Sequence, residues 1–161
     1  MVTSPESPDA LLPDDIAEVI GKQLQFTLVE LIALSLAGRQ LRWSVYGREF
    51  LSARRHLGEV VDEWRELEDA VAERAAAIGI APDGSAGAVI ELADLRPVDP
   101  GFIEVGSAIE HLCAQLWEVA VRVRQRSELL GGLDAVSQGV LVDVDRQLEA
   151  QLWMMRAQLP D

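Results

Sequence analysis

The chain has 161 residues, enough for one domain with a sizeable core, and is 49% hydrophobic and 25% charged. Its net charge of −13, with Lys22 as the single lysine, argues against nucleic acid as a partner, because gripping a phosphate backbone draws on Lys and Arg that displace counterions. One cysteine, Cys113, excludes an intramolecular disulfide and a cysteine-based zinc cluster; it reads as a small buried residue in a reducing cytoplasm.

In chain order, residues 1–13, "MVTSPESPDALLP", hold three prolines and no basic side chain. They are expected to form a flexible acidic leader, with one bundle domain over 14–159. The start lacks the basic region of a signal peptide, and "LIALSLAG", bounded by Glu30 and Arg39, is too short to span a bilayer. The localisation these features favour is cytoplasmic, with no membrane partner.

The spacing predicts a first helix over 14–45, opened by Pro13 and two acids at the positive end of the dipole. Its apolar residues include Ile16, Val19, Ile20, Leu24, Leu28, Leu31, Leu36 and Leu41, close to a 3.6-residue period. Gly21 and Gly38 each weaken it by about 1 kcal/mol relative to Ala. A second helix is predicted over 48–78, with Leu51, Leu57, Val60, Val61, Trp64, Leu67 and Val71 on its apolar face and Gly79 as its C-terminal stop. "AVIELADL" (88–95) predicts a short helix in the connection. "RPVDPGF" then breaks the chain, and two further helices follow over 102–129 and 134–158.

Four such helices imply an all-α four-helix bundle. The long connection with its own small helix lets the third helix run parallel to the second, the up-down-down-up order of ferritin-like bundles. A di-iron site inside such a bundle needs Glu-x-x-His on two helices. Here His56 precedes Glu59 by three residues and His111 directly follows Glu110, so the sequence argues against that site.

On the second helix Glu59, Asp62, Glu66, Asp69 and Glu73 step by three and four, which sets them along one stripe. A solvated face accounts for such a stripe by itself. The upstream "ARRH" (53–56) nevertheless makes the helix basic early and acidic late, so two antiparallel copies across a two-fold axis complement one another.

The block "LIALSLAGRQLRWSVYGREFLSARRHLGEVVDEWRELEDAVAER", with "AAAIGIAPDG" after it and "EAQLWMMRAQL" near the end, resembles the Dps family, the small ferritin-like proteins of starved bacterial cells. The resemblance covers nearly the whole chain from about residue 25. It implies a hollow shell of twelve bundles that oxidises Fe(II), usually with peroxide, and stores the ferric product. It also implies a metal site at the dimer two-fold, with two histidines and an Asp from one subunit and an Asp and a Glu from its partner.

The chain departs from that pattern. The two histidine positions are Arg42 and Arg54, the first Asp position is Gly58, and only Asp69 and Glu73 remain as family ligands for metal. A guanidinium stays protonated and offers donors, never a lone pair. Positions 54 and 69 lie on one side of the helix but roughly 22 Å apart along its axis, so only a second copy can bring them together. The expectation is that Arg42 and Arg54 of one subunit pair with Asp69 and Glu73 of the next, in place of metal bonds. His56, about 200° around the helix from position 54 by residue spacing, is a poor substitute ligand. Trp43 is expected to pack beside the site.

In the family, iron-entry pores use acids near the start of the last helix; Asp134 is the pore candidate here, while Gly139 stands where an Asp is frequent. Asp143 and Asp145 read as solvated helix residues. No resident cofactor is expected, and iron enters only through the resemblance. The sequence therefore supports a mini-ferritin with its ferroxidase centre largely lost, or a silent shell that assembles alone or with an active relative. DNA coating is the least supported role, given an acidic leader and no basic tail.

Overall fold

The computed structural model describes residues 11–159. The elements run α1 (Asp14–Ser44), β1 (Val45–Tyr46), α2 (Phe50–Ala77), α3 (Ala86–Leu92), β2 (Ile103–Glu104), α4 (Val105–Leu130) and α5 (Ala135–Arg156). All four long helices and the short connecting one form, each within about three residues of its expected ends. Most of the expected leader, and Pro160 and Asp161, lie outside the described residues. Where description begins, Leu12 packs against the core and the Pro13 carbonyl accepts the Ala17 N–H at 2.9 Å.

Helix boundaries follow local chemistry. α2 closes in a Schellman motif: Gly79, at φ 83°, donates to the Ala76 carbonyl, and Ile80 donates to that of Ala75, both at 3.0 Å. Glu104 caps α4 by accepting the Gly106 N–H at 2.7 Å and that of Ser107 at 3.3 Å, relieving two of the orphan donors of a helix start. This cap sets the start of α4 at 105 rather than 102. Phe102 remains outside the helix and exposed, after Gly101 at φ 134°.

The two short strands pair in parallel, Val45 with Ile103 and Tyr46 with Glu104, a contact the periodicity did not disclose. It places the end of α1 beside the start of α4. Since α2 also starts there, α2 and α4 run the same way, and the bundle has the up-down-down-up order. α1 packs chiefly on α2, and α4 on α5.

One core joins all four long helices, with Ile20, Leu31, Trp64, Leu112, Leu116 and Leu148 fully buried within it. Gly21 and Gly38, which weaken α1 locally, are where neighbours come closest. A Cβ at Gly21 would meet Ile80 at 2.7 Å, and one at Gly38 would meet Val61 at 2.6 Å and the Trp64 ring at 2.8 Å. Three residues expected on apolar faces are exposed instead: Val19, Leu36 and Leu51. Leu51 falls about 120° around α2 from Leu57, off the buried stripe.

By length and composition α1 could cross a bilayer, with a mean hydropathy of 1.4 over its most apolar 18 residues. More than half of that window is buried within the bundle, the signature of a core helix.

Candidate functional site

The last turn of α1 carries Arg42, and the first turns of α2 carry Arg54 and Gly58. The α1–α2 corner folds them into one cluster. Arg54 Nη1 donates to the Arg42 carbonyl oxygen at 3.0 Å, satisfying an acceptor that the end of α1 would otherwise leave open. A Cβ built on Gly58 would lie 3.3 Å from both Cζ and Nε of Arg42, so the Arg42 guanidinium lies along bare backbone. The cluster presents two permanent cations.

Neither Arg42 nor Arg54 has an acidic partner among the described residues. Asp69 and Glu73 are exposed farther along α2 and are equally unpaired. The stripe from Glu59 to Glu73 faces solvent throughout. The single chain thus assembles positions 42, 54 and 58 and holds 69 and 73 apart from them. Among the described residues, no group of three or more His, Cys, Asp or Glu is placed to hold a metal ion.

The other singled-out residues have definite surroundings. Trp43 is 58% exposed, with the Arg39 guanidinium 5.3 Å from its ring centroid. Asp134 caps α5: its Oδ2 accepts the Ser137 N–H at 2.7 Å and Arg74 Nη2 at 2.8 Å. Burial works against its charge, but the hydrogen bonds from Ser137 and the Arg74 guanidinium outweigh it and hold the carboxyl below its ordinary range. Gly139 is exposed, with open space where a side chain would start.

Asp143 pairs with Arg146 at 3.0 Å, one helical turn away. Asp145 pairs with Arg124 at 3.0 Å, and burial raises its carboxyl above the usual value despite that arginine. Asp145 was expected to be solvated. It instead joins α4 to α5, because Arg124 reaches both it and Glu149. His56 lies 3.9 Å from Glu59 on its own helix. His111 has a buried Nε2 without a partner; burial first, and Arg96 second, push its pKa down.

Several polar connections escaped the sequence reading. Glu30 is 1% exposed in the middle of α1, yet it accepts Arg122 Nε at 2.5 Å and Arg126 Nη1 at 2.6 Å from α4. The signal was an acid inside "LVELIALSL" and two arginines spaced i, i+4. Trp64 Nε1 donates to Gln151 Oε1 at 2.7 Å, and Gln151 Nε2 donates to Glu63 at 2.5 Å, linking α2 to α5. Ser35 donates to Glu68, whose carboxyl burial raises. No periodicity identifies these partners, since each lies on another helix.

Residues 21–161 match the sequence profile of the ferritin-like domain family. A DNA protection during starvation protein of Mycolicibacterium smegmatis is 32% identical over 148 residues, 90% of this chain and 77% of that protein. DNA protection during starvation protein 2 of Deinococcus radiodurans is 30% identical over 134 residues; the match covers 83% of this chain and only 56% of that relative's length. The solved structure of Mycobacterium smegmatis Dps in a tetragonal form superposes with a TM-score of 0.91 at 29% identity, over 99% of this chain and 96% of the other.

The fold and the family match define a ferritin-like protein. Within that class, the chain belongs to the Dps family.

Proposed function

We propose that this protein is a shell-forming mini-ferritin in which the inter-subunit iron-oxidising centre has been exchanged for ion pairs. Family membership supports iron storage and protection in general, and assembly into a homo-oligomer. The finer reading rests on one observation: the Arg42 guanidinium occupies the space beside Gly58, and Arg54 is bonded to the Arg42 backbone. Where the family resemblance implies two imidazoles and a carboxylate, this corner carries two cations that repel Fe(II) and cannot ligate it.

Asp69 and Glu73 of a second copy supply the matching anions. Two chains related by a two-fold axis then join the basic start of one α2 to the acidic end of the other, on both sides of the axis. Charge-assisted hydrogen bonds hold the seam, and the twelve-chain shell of the family retains its dimer contact without iron chemistry. Iron, where it enters, does so as cargo at other carboxylates. The protein acts in the cytoplasm.

Ferric-product absorbance after Fe(II) addition, with and without peroxide, tests this reading. The expected rate equals that of buffer without protein, and the combined reversal Arg42→His, Arg54→His, Gly58→Asp raises it. Oxidation by the unaltered protein at a rate abolished by Asp69→Asn would overturn it. A second reading, a silent subunit that co-assembles with an active relative, draws on the same two unpaired arginines, which could meet another chain's acids; mixed assembly during co-expression separates the two.

A further inference from the structure

Glu30 is one carboxylate, and both Arg122 and Arg126 bond to it, so one positive charge of this cluster has no match in the interior. Asp94 stands 3.9 Å from Arg122 Nη1 but is 93% exposed, and water screens so open a pair. Arg122 and Arg126 also line a shallow cavity of about 260 Å³, completed by Gln23 on α1 and by Gln125 and Leu129 on α4. Its size suits a small ion rather than a drug-sized molecule. Arg126 is only 12% exposed and uses Nη1 for Glu30 and Thr27. Among the described residues its Nε and Nη2 make no hydrogen bond, and neither do the side-chain amides of Gln23 and Gln125. Lys22 adds a further cation: it and Arg126 share the Phe26 ring, 6.0 and 5.7 Å from its centroid.

We propose that this cavity between α1 and α4 binds free inorganic phosphate. The planar guanidinium of Arg126 offers its unused N–H groups to two phosphate oxygens, and the amides of Gln23 and Gln125 donate to the others. The bound ion supplies the missing negative charge and ties α1 to α4 from outside, as Glu30 does from inside. The seam of the proposed dimer lies elsewhere. α4 packs on α1 and α5 and stands diagonally across the bundle from α2, whose exposed face carries Asp69 and Glu73. Along α1, Gln23 is roughly 28 Å from Arg42 at 1.5 Å per residue. Acids farther away than the Debye length, about 10 Å at 0.1 M salt, are screened, so the net charge of −13 does not bar a small ion in contact with guanidinium. A nucleic acid would instead meet the whole negative surface.

The test is calorimetric titration of inorganic phosphate into the assembled, iron-free full chain in chloride buffer. One ion per chain is expected to bind saturably, and the melting temperature is expected to rise with phosphate concentration by mass action. Gln125→Glu, at an exposed position that makes no bond to Glu30, puts a like charge at the mouth and is expected to weaken phosphate about tenfold. Arg126→Lys keeps a cation beside Glu30 but removes the planar fork, and is expected to weaken phosphate by a similar factor; melting curves check that both variants fold. Equal phosphate affinity in Gln125→Glu and the unaltered protein overturns the proposal, because the ion then sits elsewhere. Absence of saturable binding overturns it, as does binding seen only after dissociation into single chains, which means that assembly covers the cavity. Displacement of phosphate by duplex DNA overturns it as well, since the site then takes a phosphodiester.

Discussion

Arg122 and Arg126 reach from α4 to Glu30, a carboxylate that solvent barely touches. Arg42 and Arg54, at the α1–α2 corner, reach no acid among the described residues. The two regions use the same chemistry at different levels of structure. In the interior, charges taken from water must be matched within the fold, because an unpaired ion there is strongly destabilising. At the corner of the single chain, water is free to solvate the guanidinium groups, and the proposed seam would replace it with another chain's acids. The interior set thus holds the bundle together, and the corner set is the one the proposed seam would use.

The sharpest way to break this comparison is Glu30→Gln. It strands two guanidinium groups between α1 and α4 and is expected to destabilise the chain by about 3–5 kcal/mol in urea unfolding. A loss under 1 kcal/mol would mean that water already reaches the cluster. The counterpart is the double variant Asp69→Asn, Glu73→Gln. It is expected to leave single-chain unfolding unchanged and to weaken self-association by about 3–5 kcal/mol where the seam buries the pairs, read by analytical ultracentrifugation. Association as tight as in the unaltered protein removes the seam. High salt should mimic the double variant, since the Debye length falls to about 3 Å at 1 M, while hardly affecting Glu30.

Asp134→Ala removes an N-cap together with a partner of Arg74 and is expected to lower stability by about 1–2 kcal/mol. Because the folded-state pKa of Asp134 is depressed, its contribution is present above the ordinary value of 3.8 and is lost as pH falls through the lower folded value. The difference between variant and parent should therefore shrink on acidification below that point.

Gly58→Asp tests the corner from the other side. The new carboxylate would meet the flexible end of Arg42 and pair with it within the chain. The expected result is a gain of about 0.3 kcal/mol in chain stability, since Asp is only slightly the better helix former than Gly, with weaker self-association. Unchanged association would separate Arg42 from the seam.

The smallest effect concerns His111. Its folded pKa lies below the ordinary 6.5, so the unfolded chain binds the proton more readily. Stability is expected to fall as pH drops below about 6.5 and to level off beneath the folded value. His111→Gln should flatten that part of the thermal-melting profile.

How much of this was readable beforehand differs by level. The 3.6-residue spacing located all five helices, and the acids and arginines of α2 disclosed its polarity. Leu51 shows the limit of that spacing: it sits within the predicted helix, yet its angle turns it into solvent. Gly38 shows another limit, since a glycine that weakens a helix locally proved to be where Trp64 packs. Glu30 and Gln151 carry polar groups whose partners lie 92 and 87 residues away, and no local pattern encodes such distances.

By itself, the order of residues determined that the chain forms long amphipathic helices, that it carries a large negative charge, and that guanidinium groups stand at positions 42 and 54. These follow from propensity, periodicity and residue chemistry, all of which act over a few turns of chain. Only the tertiary structure decided that Arg42 lies over Gly58 beside Arg54, that Glu30 is neutralised twice in the core, and that a cavity opens between α1 and α4. Those facts depend on which helix faces become neighbours, and packing settles that by burying apolar surface from the whole chain at once.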